Sequence, residues 1–227
     1  PFNKGVNGGA GNPINPNGVK TAYLWEEVLA KESLSDIIEN YAQVIKKTDD
    51  NGKEKESVIW PRYHQMDCVR ALLKATKEGG VGQRFLIQHS AGSGKSNSIT
   101  WLAYQLVGLL DGTQALLDSV IVVTDRINLD KQIKDNIVAF KRLQNLVAWA
   151  ETADELRRHL QSGKKIIITI VHKFPHILEA IGNDLKNKRF GIIIDEAHSS
   201  QNGSLSAKMN IALSGNAEVD GDGKEDL

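Results

Sequence analysis

From Trp60 onward, runs of consecutive apolar residues alternate with segments whose apolar residues recur every three or four positions. This alternation constrains the fold more than any other feature of the chain. The runs are "RFLIQH" at 84–89, "SVIVVT" at 119–124, "KKIIITIV" at 164–171 and "FGIIID" at 190–195; the helical segments are Ser96 to Leu110, Leu129 to Phe140, Asp154 to Leu160 and Phe174 to Ile181. A strand that is apolar at successive positions must be covered on both faces, and the helices of βαβ units supply both covers. The pattern predicts an α/β fold with a mostly parallel sheet and helices on both faces.

The part before Trp60 reads differently. Its first eighteen residues hold five Gly, five Asn and three Pro, so turn formers dominate and little can be buried. Next, Leu24, Val28, Leu34, Ile37, Ile38, Tyr41 and Ile45 recur at mostly helical spacing, which predicts two short packing helices with Ser33 or Ser35 as the cap between them. The charged run Lys46 to Ser57 predicts an exposed turn. The expected division is a linker with short helices over 1–57, one α/β domain over 58–213 and a flexible acidic tail or interrupted loop over 214–227.

"QHSAGSGKS", Gln88 to Ser96, nearly matches the phosphate-binding pattern G-x-x-x-x-G-K-[ST], with His89 where the first glycine belongs. Such a loop needs a strand leading in, glycines that let backbone amides converge on phosphate oxygens, and a helix that starts there. "RFLIQ" is the expected strand, and Ile99, Leu102, Leu106 and Leu109 give the helix its buried stripe. The candidate nucleotide-binding residues of the loop are Ala91, Gly92, Ser93, Gly94, Lys95 and Ser96. Lys95 is placed to reach the β- and γ-phosphates, and the Ser96 hydroxyl to ligate Mg²⁺. His89 lies where the chain leaves the strand and is expected to be tolerated there.

A second requirement of phosphoryl transfer is an acidic group at the end of a neighbouring buried strand. In "FGIIIDEAHSSQ" the three isoleucines drive a strand into the core, and Asp195 emerges as a metal-binding candidate, followed by Glu196 as the residue that polarises attacking water. Both motifs fall at strand carboxyl ends, where open parallel sheets gather ligands. Lysine plus arginine balance aspartate plus glutamate at 28 each, so nucleic-acid binding would have to come from a local patch. The single cysteine, Cys68, excludes an intramolecular disulfide and a cysteine zinc cluster, is expected to be a buried helix residue, and fits a reducing, cytoplasmic setting. Trp25, Trp60, Trp101 and Trp149 are expected to pack.

With these motifs the chain resembles the first RecA-like domain of superfamily 2 helicases and translocases. "RYHQ" resembles the glutamine motif that reads adenine, which makes Gln65 and Arg62 cofactor-binding candidates; "VVTDRINLDKQI" and "ITIVHKF" resemble motifs that face nucleic acid, with Arg126 and Lys173 as candidate contacts to the DNA backbone. The resemblance narrows to the motor subunit of type I restriction-modification enzymes on "GNPINPNGVKTAYLWEEVL", "QHSAGSGKSNSITWLA", "TDRINLDKQI", "TIVHKF" and "DEAHSSQNG", which span most of the chain.

That resemblance implies ATP and Mg²⁺ as cofactors, translocation on double-stranded DNA, a separate nuclease domain, and modification (methyltransferase) and specificity subunits as partners, in the cytoplasm and not in a membrane. It also implies that His198 links the nucleotide site to a second motor domain. Pro1 at the start, the lack of a nuclease constellation in residues 1–60 and the lack of a second RecA-like domain lead to the expectation of a fragment that does not cut DNA and hydrolyses little ATP. Two alternatives stand beside it. A strand-separating superfamily 2 helicase would score in strand displacement, whereas a duplex translocase scores only in triplex displacement. A non-enzymatic, ATP-responsive binding module would have no use for Glu196.

Overall fold

Leu24–Val28 and Ile37–Tyr41 are two wide five-residue turns, closed by Leu29 N–H to the Leu24 carbonyl and Ala42 N–H to the Ile37 carbonyl, both at 2.8 Å. Between them lies the short helix α1 (Lys31–Asp36). Pieces of this length do not hold themselves in water, so packing must do so. Val28, Ile37 and Tyr41 are buried in one cluster with Met66, Val69 and Trp101. The Trp101 indole donates to the Tyr41 carbonyl at 3.0 Å, and Arg70 pairs with Asp36 at 2.6 Å. Burial pushes the Tyr41 phenol up to about 12. The expected serine cap is not used: Ala30 precedes α1, and the Ser33 hydroxyl accepts from Arg70 instead, at 3.3 Å.

The computed structural model describes residues 3, 5–6, 11–48, 52–90, 92–124, 145–170 and 188–195. Of the charged run expected as a turn, residues 46–48 and 54–57 belong to two antiparallel strands, β1 (Gln43–Thr48) and β2 (Glu54–Ile59), with Gln43 opposite Ile59. Helices α2 (Tyr63–Gly79) and α3 (Lys95–Val107) follow, then a small hairpin of β3 (Leu110–Asp111) and β4 (Gln114–Ala115). Cys68 is half-buried on α2 rather than buried.

The main sheet is formed by β5 (Ser119–Thr124), β6 (Val147–Ala150), β7 (Ile166–Ile170) and β8 (Phe190–Ile194), all parallel, in the order β6-β7-β5-β8. Every residue of β5 is buried, as its unbroken apolar run requires. Alternate residues serve opposite faces. Val120, Val122, Ile166 and Ile168 pack with Trp101, Leu102, Ala103 and Leu106 of α3, while Ile121, Val123 and Ile167 pack with Leu156 and Leu160 of α4 (Ala153–Gln161). The expected parallel sheet with helices on both faces is therefore present.

Helix α4 starts at a reciprocal cap. The Glu155 amide donates to Thr152 Oγ1 at 3.2 Å, and the Glu155 carboxylate accepts from the amides of Glu151 at 2.8 Å and Thr152 at 3.2 Å. The Glu151 amide is the main reason that the Glu155 carboxyl sits below its ordinary range. Thr152→Ala is expected to lower stability by about 1 kcal/mol, read as a shifted urea midpoint at unchanged slope.

Two further expectations fail. Residues 84–88 form no ladder with any described strand, and Phe85, Leu86 and Ile87 are 45%, 89% and 45% exposed. An apolar run signals that a segment can be buried as a strand, but a strand exists only where a partner accepts its backbone hydrogen bonds. Here β5 has both edges filled by β7 and β8, and neither β6 nor β8 takes up the run. Trp25 and Trp60 are also exposed, at 52% and 45%, while Trp101 is buried. The helices expected at 129–140 and 174–181, the tail at 214–227, and Ala91, Arg126, Lys173, Glu196 and His198 lie outside the described residues. Among the described residues no helix is long and apolar enough to cross a membrane.

Candidate nucleotide site

The loop turns into α3 through two glycines in the left-handed region, Gly92 at φ 73° and Gly94 at φ 84°. A side chain at Gly94 would run into the Gln65 amide, whereas nothing lies within 4 Å of where a Cβ at Gly92 would stand. The first position is closed by protein, and the second leaves a cradle open. The Gly94 carbonyl accepts the amides of Asn97 at 3.0 Å and Ser98 at 3.4 Å, which begins α3. Lys95 and Ser96 occupy its first turn; at a helix start, amides without an intrahelical partner and the helix dipole favour an anion.

Gln65, only 3% exposed, braces this loop from the first turn of α2. Its Nε2 donates to the carbonyls of Ser93 at 3.1 Å and Gly94 at 3.0 Å, and its Oε1 accepts the Arg62 amide at 2.8 Å. Both amide protons and one oxygen lone pair are thus in use. Arg62 precedes the helix but has no side-chain acceptor to offer, so the Gln65 backbone amide turns to the Arg62 carbonyl, at 3.1 Å.

The motif reading does not single out His64, yet it belongs to the site. Its Nε2 lies 3.1 Å from the Ser93 carbonyl, and its ring meets the His89 ring edge-on, with centroids 5.4 Å apart and planes at 88°. The signal that points to it is its place inside "RYHQ", directly before the loop-bracing glutamine. His89 is half-buried while its neighbours from Val81 to Ser90 are exposed. Burial above all, then His64 and Lys95, hold its imidazole below the usual histidine range. Arg62, His64, His89, Gly92 and Ser93 line an open cavity of about 390 Å³ over the loop.

Asp195 follows β8 at the carboxyl end of the sheet, is 6% exposed, and donates its amide to the Val123 carbonyl at 2.9 Å. A carboxylate that far from water is costly unless a cation or donors compensate it. Its oxygens and the Ser96 hydroxyl are the hard donors that Mg²⁺ prefers, so the residues present fit that ion. The structure thus ties Arg62, Gln65, Ser93 and Gly94 into one bonded cluster and sets Lys95 and Ser96 beside it at the head of α3. Asp195 stands at the end of a strand on which α3 packs.

Residues 64–220 match the family model of the SWI2/SNF2 ATPase. Over 189 residues the chain is 30% identical to the type I restriction enzyme HindI endonuclease subunit of Haemophilus influenzae, which is 79% of this chain and 17% of that protein. Over 165 residues it is 29% identical to the C-terminal part of a putative type I restriction enzyme MpnIIP endonuclease subunit, from Mycoplasma pneumoniae, which is 66% of this chain and 77% of that protein. The family match takes in the brace, the phosphate loop, the parallel sheet and Asp195 together: the chain belongs to the SWI2/SNF2 ATPase family of helicase superfamily 2, with its RecA-like P-loop fold.

Proposed function

We propose that this chain is the first motor domain of a type I restriction endonuclease subunit and works as an ATP- and Mg²⁺-dependent translocase on double-stranded DNA. The observation that carries this reading is the Gly92–Ser96 loop, braced by Gln65 and opening onto the first turn of a buried helix. The similarity to two endonuclease subunits of type I restriction enzymes supports the choice within the family. Residues 58–213 form the motor, residues 1–57 are the linker into it, and residues 214–227 are an acidic tail or an interrupted loop.

In this reading the amides from Ala91 to Ser96 and the Lys95 ammonium hold the β- and γ-phosphates. Ser96 and Asp195 hold Mg²⁺, which when bound neutralises phosphate charge. Glu196 orients the attacking water and takes its proton. Gln65 exchanges one of its loop bonds for the adenine edge, with Arg62 beside it, so that base recognition and loop position are linked. Arg126 and Lys173 touch the DNA backbone, which positions a duplex without reading its sequence. Modification and specificity subunits join it in the full assembly.

The test uses the complete protein and its partner subunits. A charge-assisted hydrogen bond contributes about 1.5–3 kcal/mol, so Lys95→Ala should weaken ATP binding roughly tenfold to a hundredfold. Glu196→Gln should bind ATP normally and fail in triplex displacement. Unchanged affinity in the first variant, or undiminished translocation in the second, would contradict the roles assigned.

A further inference from the structure

Beside the lysine of the phosphate loop stand two imidazoles that the proposed mechanism does not use. His64 and His89 meet edge-on at 5.4 Å, His64 bonds the Ser93 carbonyl at 3.1 Å, and both rings line the cavity over Gly92 and Ser93. The cavity wall also carries Arg62, and no carboxylate is among the described residues that line it. Facing His89 are His64 from the start of α2 and Lys95 from the start of α3, and Arg62, just before α2, lines the same cavity. Every charged or titratable group among these described residues is basic. Such a wall repels a further proton while it is empty and attracts one when an anion enters.

The bond to Ser93 gives His64 a task that does not depend on a further proton. A carbonyl oxygen only accepts, so the ring nitrogen of His64 that faces it carries hydrogen in either charge state. His64 is thereby committed to holding the loop. His89 has no hydrogen bond of that kind among those described, and it is the half-buried residue of an otherwise exposed stretch.

We propose that His89 is a proton-loaded ligand of the nucleotide: it stays neutral in the empty cavity, takes a proton from solvent as the phosphates bind, and donates it in a hydrogen bond to a phosphate oxygen, with His64 positioning the loop beside it. This inference rests on the nucleotide-site reading and adds a regulated contact to it. The depressed starting point of His89 agrees with the proposal, since burial and its cationic neighbours disfavour the imidazolium until an anion offsets them.

The sign of the effect follows by linkage. A group that is more basic in the complex than in the free protein favours binding at low pH. Affinity is then greatest below the free-protein value, falls as pH rises through the interval between free and bound values, and levels off above it. Each unit by which the nucleotide raises His89 corresponds to about tenfold in affinity across that interval.

The experiment is isothermal titration of the complete protein with magnesium-loaded ATPγS, in buffers of different ionisation enthalpy from mildly acidic to mildly alkaline pH. The expected result is net proton uptake near neutrality and affinity that drops as pH rises. His89→Gln should abolish the uptake and flatten the profile. His64→Gln keeps an amide donor for the Ser93 carbonyl and should retain the uptake. Nucleotide binding without uptake overturns the inference alone, as does uptake that persists in His89→Gln or disappears in His64→Gln. Failure of the unaltered protein to bind the nucleotide overturns the site reading and the inference with it.

Discussion

Trp101→Ala should cost about 3–5 kcal/mol of folding stability, a large share of the whole for a domain of ordinary stability. Trp101 is 1% exposed and sits on α3, where its ring meets that of Tyr41 at 5.7 Å and its indole N–H donates to the Tyr41 carbonyl at 3.0 Å. Truncation opens a cavity between α3, the strands beneath it and the short helical pieces at 24–41. It also strands the Tyr41 carbonyl away from water, a further destabilising effect. Trp101→Phe keeps most of the ring and loses the hydrogen bond, so it should cost much less, on the order of 1–2 kcal/mol. Urea unfolding followed by far-ultraviolet circular dichroism separates the two. A loss of under about 1 kcal/mol for the alanine variant would mean that the amino-terminal helices do not rest on α3 in solution.

That docking is not legible in the sequence. The spacing of Val28, Ile37 and Tyr41 shows that the segment has an apolar face but does not say what the face meets. The contact with Trp101 joins residues 60 positions apart. The sheet shows the same division between local and distant information. Continuous runs of Val and Ile mark β5 and β7, because burial on both faces leaves its trace in nearly every residue, and the same run marks β8 although its residues are only half-buried at the edge of the described sheet. "VAWA" does not announce a strand, since four residues with two alanines carry little apolar signal, and β6 is held by its pairing with β7. "RFLIQ" carries a strong apolar signal yet has no partner among the described strands.

At the site, the phosphate loop is legible because its chemistry is local. Two glycines, a lysine and a serine in sequence can form an anion cradle only in a few ways, and the glycines do adopt the left-handed conformation that the pattern requires. What holds the loop in place is not legible. Gln65 and Ser93 are 28 positions apart, and the sequence suggests adenine as the partner of the glutamine rather than the loop itself. His89, expected only to be tolerated, proves to be packed against His64, which is itself bonded to the loop. A departure from a motif is a substitution whose partner has to be sought elsewhere in the chain.

Gly94→Ala should reduce nucleotide affinity by about two orders of magnitude, and the size of the loss can be assembled from its causes. At φ 84° and ψ 37° an alanine pays about 1–2 kcal/mol for its Cβ against its own backbone. The same Cβ runs into Gln65 Nε2, which is held by the carbonyls of Ser93 and Gly94. Gln65 is nearly fully buried and cannot retreat without giving up those bonds, each a net contribution of about 1 kcal/mol. The sum is about 3 kcal/mol if the loop moves to relieve the collision, and it appears as lost binding because the loop amides then no longer converge. The two causes separate in a double-mutant cycle. Gln65→Ala alone removes the brace and should weaken binding moderately. In the Gly94→Ala/Gln65→Ala protein the collision is gone and only the backbone strain and the missing brace persist, so the combined loss should fall short of the sum of the single losses by about 1–2 kcal/mol. Strict additivity would mean that residue 94 and Gln65 do not touch, and the brace would then be an incidental neighbour of the loop rather than what holds its glycine in place.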